Sequence, residues 1–486
     1  MSTDTKASPD RVLFYAFVAL FFWLPLPLGS NRAWAWSLMQ VWVAMLGLWW
    51  LWLFRAGHVD LTSAFRKAWP VFILFGLWLL LLAAQLLPLP PQLVAWISPR
   101  AMQLYREAGV GIASLPLSLE PFLTGDFLLN SLAYITLFAL ALLLLRRRWR
   151  IRLLITVVVL SGLFQALYGG FMVLSGLELG FFFEKDSYRG VATGTFVNRN
   201  HLAGYLELCL AAGMGLLLAE MGQGTANNWR QRLRDLVRWM LSPKMRLRIY
   251  LAVMVIGLVL TRSRMGNTAF FSSLLVAGGA WLLLSGRRPK GSVMLLLASL
   301  LVIDIYIVGA WFGSDKVVRR LEQTSVVSET RDEVVSHGLD YRADYPLVGS
   351  GGGTFHAVFP SYRQQDVTHY YDYAHNDYLQ MAVETGWLGL ALLGSVVVVS
   401  LGAALWAIYR RQDGLMRGLG FSSLMGVIAL MIHSAVDFNL QIPANATLFV
   451  LMLSFAWIGV AHQRGPERSR LTRKSRRSQT DSTLFT

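Results

Sequence analysis

The sequence predicts an all-α polytopic membrane protein, and three observations carry that prediction. Apolar runs of about 18 residues or more recur along the 486-residue chain, each long enough to cross a bilayer core. Hydrophobic residues make up 55% and charged residues only 15%, and soluble globular domains do not repeat such runs. Lys and Arg are also distributed unevenly between alternate connections, as membrane topology requires.

Taken in order, about twelve spans are expected. They lie near 12–29, 34–54, 69–88, 127–145, 153–175, 201–222, 249–261, 265–285, 292–312, 387–409, 419–436 and 445–462. The opening "MSTDTKASPDR" has no basic n-region and no small-residue cleavage site, so the first span is expected to stay in place. An even number of spans puts both termini on one side. That side then carries 30 of the 44 Lys and Arg, including "RRRWRIR" at 146–152 and the tail "RGPERSRLTRKSRRS". The positive-inside rule places both termini in the cytoplasm. Topology therefore accounts for the net charge of +16 without nucleic acid, and the tail is expected to be disordered and to touch anionic lipid. The expected organisation is a cytoplasmic N-terminus at 1–11, spans 1–9 over 12–312 and an outer loop with short helices at 313–377. An amphipathic helix leading into spans 10–12 follows over 378–462, then the basic tail at 463–486. The single cysteine, Cys209, sits in an apolar run, excludes an intrachain disulfide and reads as a small buried hydrophobe.

The outer side holds the unusual residues. "YAHNDYLQMAVETGWLGL", 373–390, places His375, Asn376 and Asp377 before an apolar run. Asp377 with Gln380 three residues on is an analogue of a capping box, so His375 is expected at or just before a helix N-terminus. The positive end of that helix favours neutral imidazole, which can accept a proton, while Asp377 favours imidazolium. The balance stays open in the sequence, and plain interfacial capping is the alternative role. "ETG", 384–386, is expected to break the helix before the next span.

Arginines cluster on the same side. Arg199 lies in "TFVNRNHLAGYL", flanked by Asn198 and Asn200. Arg262 and Arg264 lie in "TRSRMG", a turn too short to leave the bilayer. An arginine held at membrane depth is costly and usually partnered, with snorkelling to the interface as the alternative. Thr330 and Glu333 form a T-x-x-E start for a loop helix running to Asp344 and stopped by Pro346. Arg331 and Arg342, eleven residues apart, then fall on nearly one face, with Val335 and Gly338 between them leaving room for a bulky anion. "LVGSGGGTF", 347–355, offers backbone N–H groups to an anion or is a plain turn; it lacks the lysine and hydroxyl of a P-loop. His433 and Asp437 in "HSAVDFNLQIPANA" are i and i+4 and are expected to pair on the eleventh span. The histidines and the lone cysteine show no metal-ligand spacing, so no metal and no cofactor are expected. An anionic, lipid-linked substrate would account for the arginines together, because the planar guanidinium binds phosphate oxygens bidentately.

These segments, in this order, resemble the O-antigen ligase and polymerase superfamily, bacterial inner-membrane glycosyltransferases, over roughly residues 190–450. The resemblance implies transfer of a glycan from undecaprenyl diphosphate to an acceptor hydroxyl on the periplasmic face, with inversion and without metal or nucleotide. The acceptor is lipid A–core oligosaccharide in ligases and another lipid-linked repeat in polymerases. It further implies His375 as general base and Arg199, Arg264 and Arg331 as a clamp on the diphosphate. Asn198, Asn200, Arg262, Arg342, Asn376, Asp377, His433 and Asp437, from the segments above, are the candidate substrate or supporting residues. "NRN" departs from many relatives between its asparagines. The rival outside this chemistry is a transporter of lipid-linked sugar, which would show internal repeats and midplane polar groups. Here Asp304 is the main midplane-like carboxylate and no repeat relates the halves.

Overall fold

The computed structural model describes residues 8–109, 113–181, 183–220, 243–284, 325–363 and 370–461. Within them the regular structure is helical, apart from one hairpin of two-residue strands, β1 (Leu179–Gly180) and β2 (Phe183–Glu184), and an isolated bridge between Leu89 and Leu115. The long helices are α1 (Arg11–Trp23), α2 (Ala33–Arg55), α4 (Trp69–Leu86), α7 (Pro121–Leu144), α8 (Arg148–Ser175) and α9 (Arg199–Glu220), with α3 (Ser63–Lys67), α5 (Pro91–Ile97) and α6 (Pro99–Glu107) between them. They continue as α10 (Pro243–Leu260), α11 (Arg264–Leu284), α14 (Asp377–Arg410), α15 (Gly414–His433) and α16 (Pro443–Ala461), with α12 (Ser325–Asp344) and α13 (Phe355–Val358) in the large loop.

Among the described residues, nine helices are long and apolar enough to cross a membrane. The span expected at 292–312, with Asp304, lies outside the described residues, as does the tail. The first expected span, 12–29, is shorter than predicted: α1 stops at Trp23, because Pro25 and Pro27 cannot continue a helix. The break at 384–386 is present. Gly386 has φ 65° and ψ −172°, separating a lead-in helix from the tenth expected span within α14.

Small residues set the centre of the bundle. With 94% of its apolar window buried, α9 is enclosed by α8, α10, α15 and α16. Gly215 of α9 faces Gly418 of α15 so closely that a Cβ on Gly418 would lie 2.2 Å from the Gly215 carbonyl oxygen. Lipid offers no hydrophobic gain for helix association, so backbone contact of this kind supplies the packing instead.

A second layer covers one end of the bundle. There α5 and α6 join α12, α13 and the first turns of α14 around Tyr341, Tyr345, Phe355 and Phe359, all essentially buried. Each such ring contributes about 1.5–3 kcal/mol where it leaves water. Two features differ from expectation. The loop helix α12 already runs through Thr330, so Thr330 and Glu333 are interior positions and form no capping box. The space at Gly338 is filled by Leu379 of α14, whose side chain would sit 2.7 Å from an added Cβ; it brings two helices together and leaves no room for an anion.

Candidate functional site

Four segments meet at the covered end of the bundle: the start of α9, the turn 261–264, the stretch leading into α14, and the turn between α15 and α16. Asn376 is the N-cap of α14, its side chain accepting from the N–H groups of Tyr378 and Leu379, both at 3.0 Å. The cap is therefore Asn376 and not Asp377, because the short amide reaches both N–H groups while Asp377 turns the other way. The Asp377 carboxylate is buried and accepts from Ser434 Oγ at 2.7 Å and Leu440 N at 3.0 Å, pinning α14 to the α15–α16 turn.

His375, just before that cap, has φ 50°, the left-handed region that a β-substituted residue enters at a cost of about 1–3 kcal/mol. Its ring faces Asp437: Nδ1 stands 3.7 Å from Asp437 Oδ1. His201 Nε2 stands at the same 3.7 Å from that oxygen. Asn200 donates its side-chain N–H to Asp437 Oδ2, and the Phe438 N–H donates to Oδ1 at 2.9 Å. The Phe438 ring packs edge-on against His201 and His375 and stacks on Tyr373. Burial pushes the Asp437 carboxyl up, but His201, His375 and the charge of His433 outweigh it and hold it well below the usual carboxylate range. It is thus an anion facing two imidazoles. Burial, reinforced by the negative charge of Asp372, Glu384 and Asp377, pushes the Tyr373 phenol up to about 12, which keeps it a hydrogen-bond donor.

The expected pairing of His433 with Asp437 is not made. Helix α15 ends at His433, and the chain then turns, so the two are no longer four residues apart on one helix. His433 Nδ1 pairs instead with Glu207 Oε1 of α9 at 2.8 Å, both buried.

Arg199 opens α9, its guanidinium 5.7 Å from the centre of the Tyr188 ring. Asn198 holds the start of that helix by accepting from Asn200 N at 2.8 Å. Arg264 opens α11 and is exposed, while Ser263 takes the cap by accepting from Gly266 N at 3.1 Å. Gly266 lies against Ala203, with 2.6 Å from an added Cβ, so α11 starts one turn along α9 from Arg199. Arg262, with φ 51°, lies in the turn between. Arg342 is placed elsewhere, its guanidinium 5.0 Å from the Trp387 ring beyond the break at Gly386. Arg331 lies on α12, and its side chain falls outside the described residues.

The glycine loop meets a carboxyl group that belongs to the protein. Glu384 Oε1 accepts from Phe355 N at 3.2 Å and from Gln380 Nε2 at 2.9 Å. Gly351 N donates to the Glu384 carbonyl and Gly352 N to Gln85 Oε1. The loop is a structural clasp on α14, so the ligand-binding alternative gives way to the turn. Sequence reasoning missed His201, Glu207, Gln85 and Glu384. A carboxylate in "YLELCL" was the available signal for Glu207, since ionisable residues inside apolar spans rarely occur without a role.

Fold and site together define a polytopic helical membrane protein with an imidazole–carboxylate cluster and helix-opening arginines at one end of its bundle. Residues 249–394 match the family model described as O-antigen ligase, which supports placing the chain in that superfamily of glycosyltransferase-like ligases and polymerases. The matched stretch contains His375, Arg262, Arg264, Arg331 and Arg342, whereas Arg199, Asn200, His201 and Asp437 lie outside it. No curated protein matches the chain.

Proposed function

We propose that this protein transfers a glycan from undecaprenyl diphosphate to an acceptor hydroxyl at the outer face of the bacterial inner membrane. One observation carries the proposal: His375, strained and backed by the Asp437 anion, sits at the same end of the bundle as the first residues of α9 and α11, Arg199 and Arg264. The opposite end carries Arg55, Arg148 and Arg410, which by the positive-inside rule faces the cytoplasm along with both termini.

In this reading Nδ1 of His375 is turned to Asp437 and Nε2 takes the acceptor proton. The acceptor oxygen forms a bond to C1 of the reducing-end sugar as the bond from C1 to the diphosphate oxygen breaks. Undecaprenyl diphosphate leaves with the electron pair, its growing charge stabilised by Arg199, Arg264 and Arg331. The anomeric centre inverts in this single displacement, and neither metal nor nucleotide takes part. The acceptor is a glycan hydroxyl, with lipid A–core oligosaccharide the first to try.

The test is reconstituted transfer in nanodiscs, with lipid-linked glycan and lipid A–core as substrates and no ATP or divalent metal. His375→Ala is expected to lower the rate about 10²–10⁴-fold, the range of one general base. Arg264→Ala is expected to weaken transfer as well. Full activity in His375→Ala overturns the base assignment. Lengthening of the donor with the core left untouched makes the protein a polymerase.

A further inference from the structure

Between the spans α4 and α7 the chain makes a closed excursion at the site end of the bundle. Leu89 N donates to Leu115 O at 2.9 Å and Leu115 N to Leu89 O at 2.8 Å, so the excursion leaves and returns at one point. Ser118 N donates to Gln85 O at 2.9 Å, which ties that point to the last turn of α4. The two helices of the excursion, α5 and α6, share an inner face. Val94 and Ala101 are buried in one cluster with Tyr341, Phe355, Ala374 and Leu379, the last two flanking the lead-in at His375. Arg100 Nε reaches Asp344 Oδ2 at 3.4 Å, and the Tyr105 hydroxyl donates to Ser118 O at 2.8 Å.

Their outer faces differ. Helix α6 presents Gln103, Arg106 and Glu107, groups that water solvates. Helix α5 presents Leu93 and Trp96, three residues apart and so on one side, with Trp96 79% exposed. An indole with an apolar body and one N–H suits the boundary between hydrocarbon and water, where tryptophan is enriched. The α5 face also continues an exposed apolar stripe. Ile73, Leu77 and Leu80 are exposed along α4, Leu87 just after it, and Phe122, 74% exposed, in the first turn of α7. In a membrane-spanning bundle that stripe faces hydrocarbon, and α5 carries it past the span end. We propose that α5 is an interfacial anchor: it lies in the headgroup layer of the leaflet at the site end, with Leu93 and Trp96 turned into lipid and α6 left in water. Its partner is the bilayer itself. Through Val94 the anchor fixes the height above the membrane of the layer that holds Ala374, the residue before His375. The argument needs neither the substrate nor the side of the membrane.

The test places a nitroxide on the full chain in nanodiscs of phosphatidylethanolamine and phosphatidylglycerol. It uses four single variants: Leu93→Cys, Trp96→Cys, Gln103→Cys and Arg106→Cys. Native Cys209 is buried, and the unsubstituted chain gives its background. Collision with oxygen, which concentrates in lipid, and with a nickel chelate, which stays in water, gives the depth of each label. Labels at 93 and 96 are expected about 5–10 Å inside the headgroup boundary, and those at 103 and 106 in water. Trp96→Asp is expected to raise amide hydrogen exchange over residues 91–97 at least about tenfold in nanodiscs, with exchange in the spans unchanged. Labels at 93 and 96 as open to nickel as those at 103 and 106 overturn the proposal. So do immobilised labels shielded from both reagents, which mean that protein covers the face in place of lipid. Unchanged exchange in Trp96→Asp overturns it as well. These readouts need no turnover, so they stand apart from the outcome of the glycan-transfer assay.

Discussion

Asp437 Oδ1 lies 3.7 Å from Nδ1 of His375, a contact between the turn after α15 and the residue before the cap of α14. A fixed anion at that position faces the ring and limits its orientation. Asp437→Asn is expected to lower the transfer rate about 10²-fold with little change in donor binding, and Asp437→Glu to recover part of the loss. Steady-state kinetics with a separate donor-binding measurement checks this. Weakened donor binding at unchanged turnover would place Asp437 in the clamp instead.

The His433–Glu207 pair at 2.8 Å makes a different prediction. His433→Ala strands the Glu207 carboxyl in the packed centre and is expected to cost about 1–3 kcal/mol of stability. In a double-mutant cycle read by thermal unfolding in detergent, His433 and Glu207, in direct contact, should couple more strongly than His433 and Asp437, which act on each other through charge alone. Coupling with Asp437 instead would restore the pairing expected from the i, i+4 spacing.

Gly386 is held at φ 65° and ψ −172°, and a Cβ there would lie 2.2 Å from the Leu347 carbonyl oxygen. Gly386→Ala is expected to destabilise by at least about 1–3 kcal/mol from the dihedral alone. The backbone clash adds to this, and limited proteolysis of the 347–355 clasp reports it. An unchanged melting temperature and cleavage pattern would mean that the clasp does not depend on this close approach.

At the opposite end of the bundle, Arg150 is fully buried and holds Asp10 through two contacts, at 2.7 and 2.8 Å, with Arg146 adding a third at 2.8 Å. Burial pushes the Asp10 carboxyl up, but the hydrogen bonds from Arg150 and Ser8 and the two guanidinium charges pull it further down, well below the usual range. A carboxyl depressed by folding contributes stability that is complete above its unfolded value and lost as pH falls through the folded one. Acidification below about pH 4, the ordinary aspartate range, is therefore expected to begin loosening the start of α1. Asp10→Asn leaves Arg150 buried without an anion and should cost about 3–5 kcal/mol at neutral pH. A flat thermal-stability profile in the variant between pH 3 and 5, against a falling one in the parent, is the expected result.

Much of the architecture was legible because the bilayer imposes it. Spans show as long apolar runs, and Asn376, Gly386 and Pro346 punctuate them by local backbone rules. The helices α5 and α6 were missed, since their short amphipathic turns carry no span-length signal; Pro91 and Pro99, at helix starts, were the available cue. In the site, His375 and the arginines at 199, 262 and 264 stood out as polar residues beside apolar runs. Their partners did not. His201 and Asp437 are separated by more than two hundred residues, and no local period links them.

The sequence by itself determined the membrane class and the long apolar helices, because each depends on residues close together in the chain and on the solvent around them. Tertiary structure alone decided the pairings: Asp437 with His375 and His201, Glu207 with His433, and Glu384 with the glycine loop. Those depend on which helices touch, and contacts such as Gly215 on Gly418 arise only when distant helices pack at backbone distance.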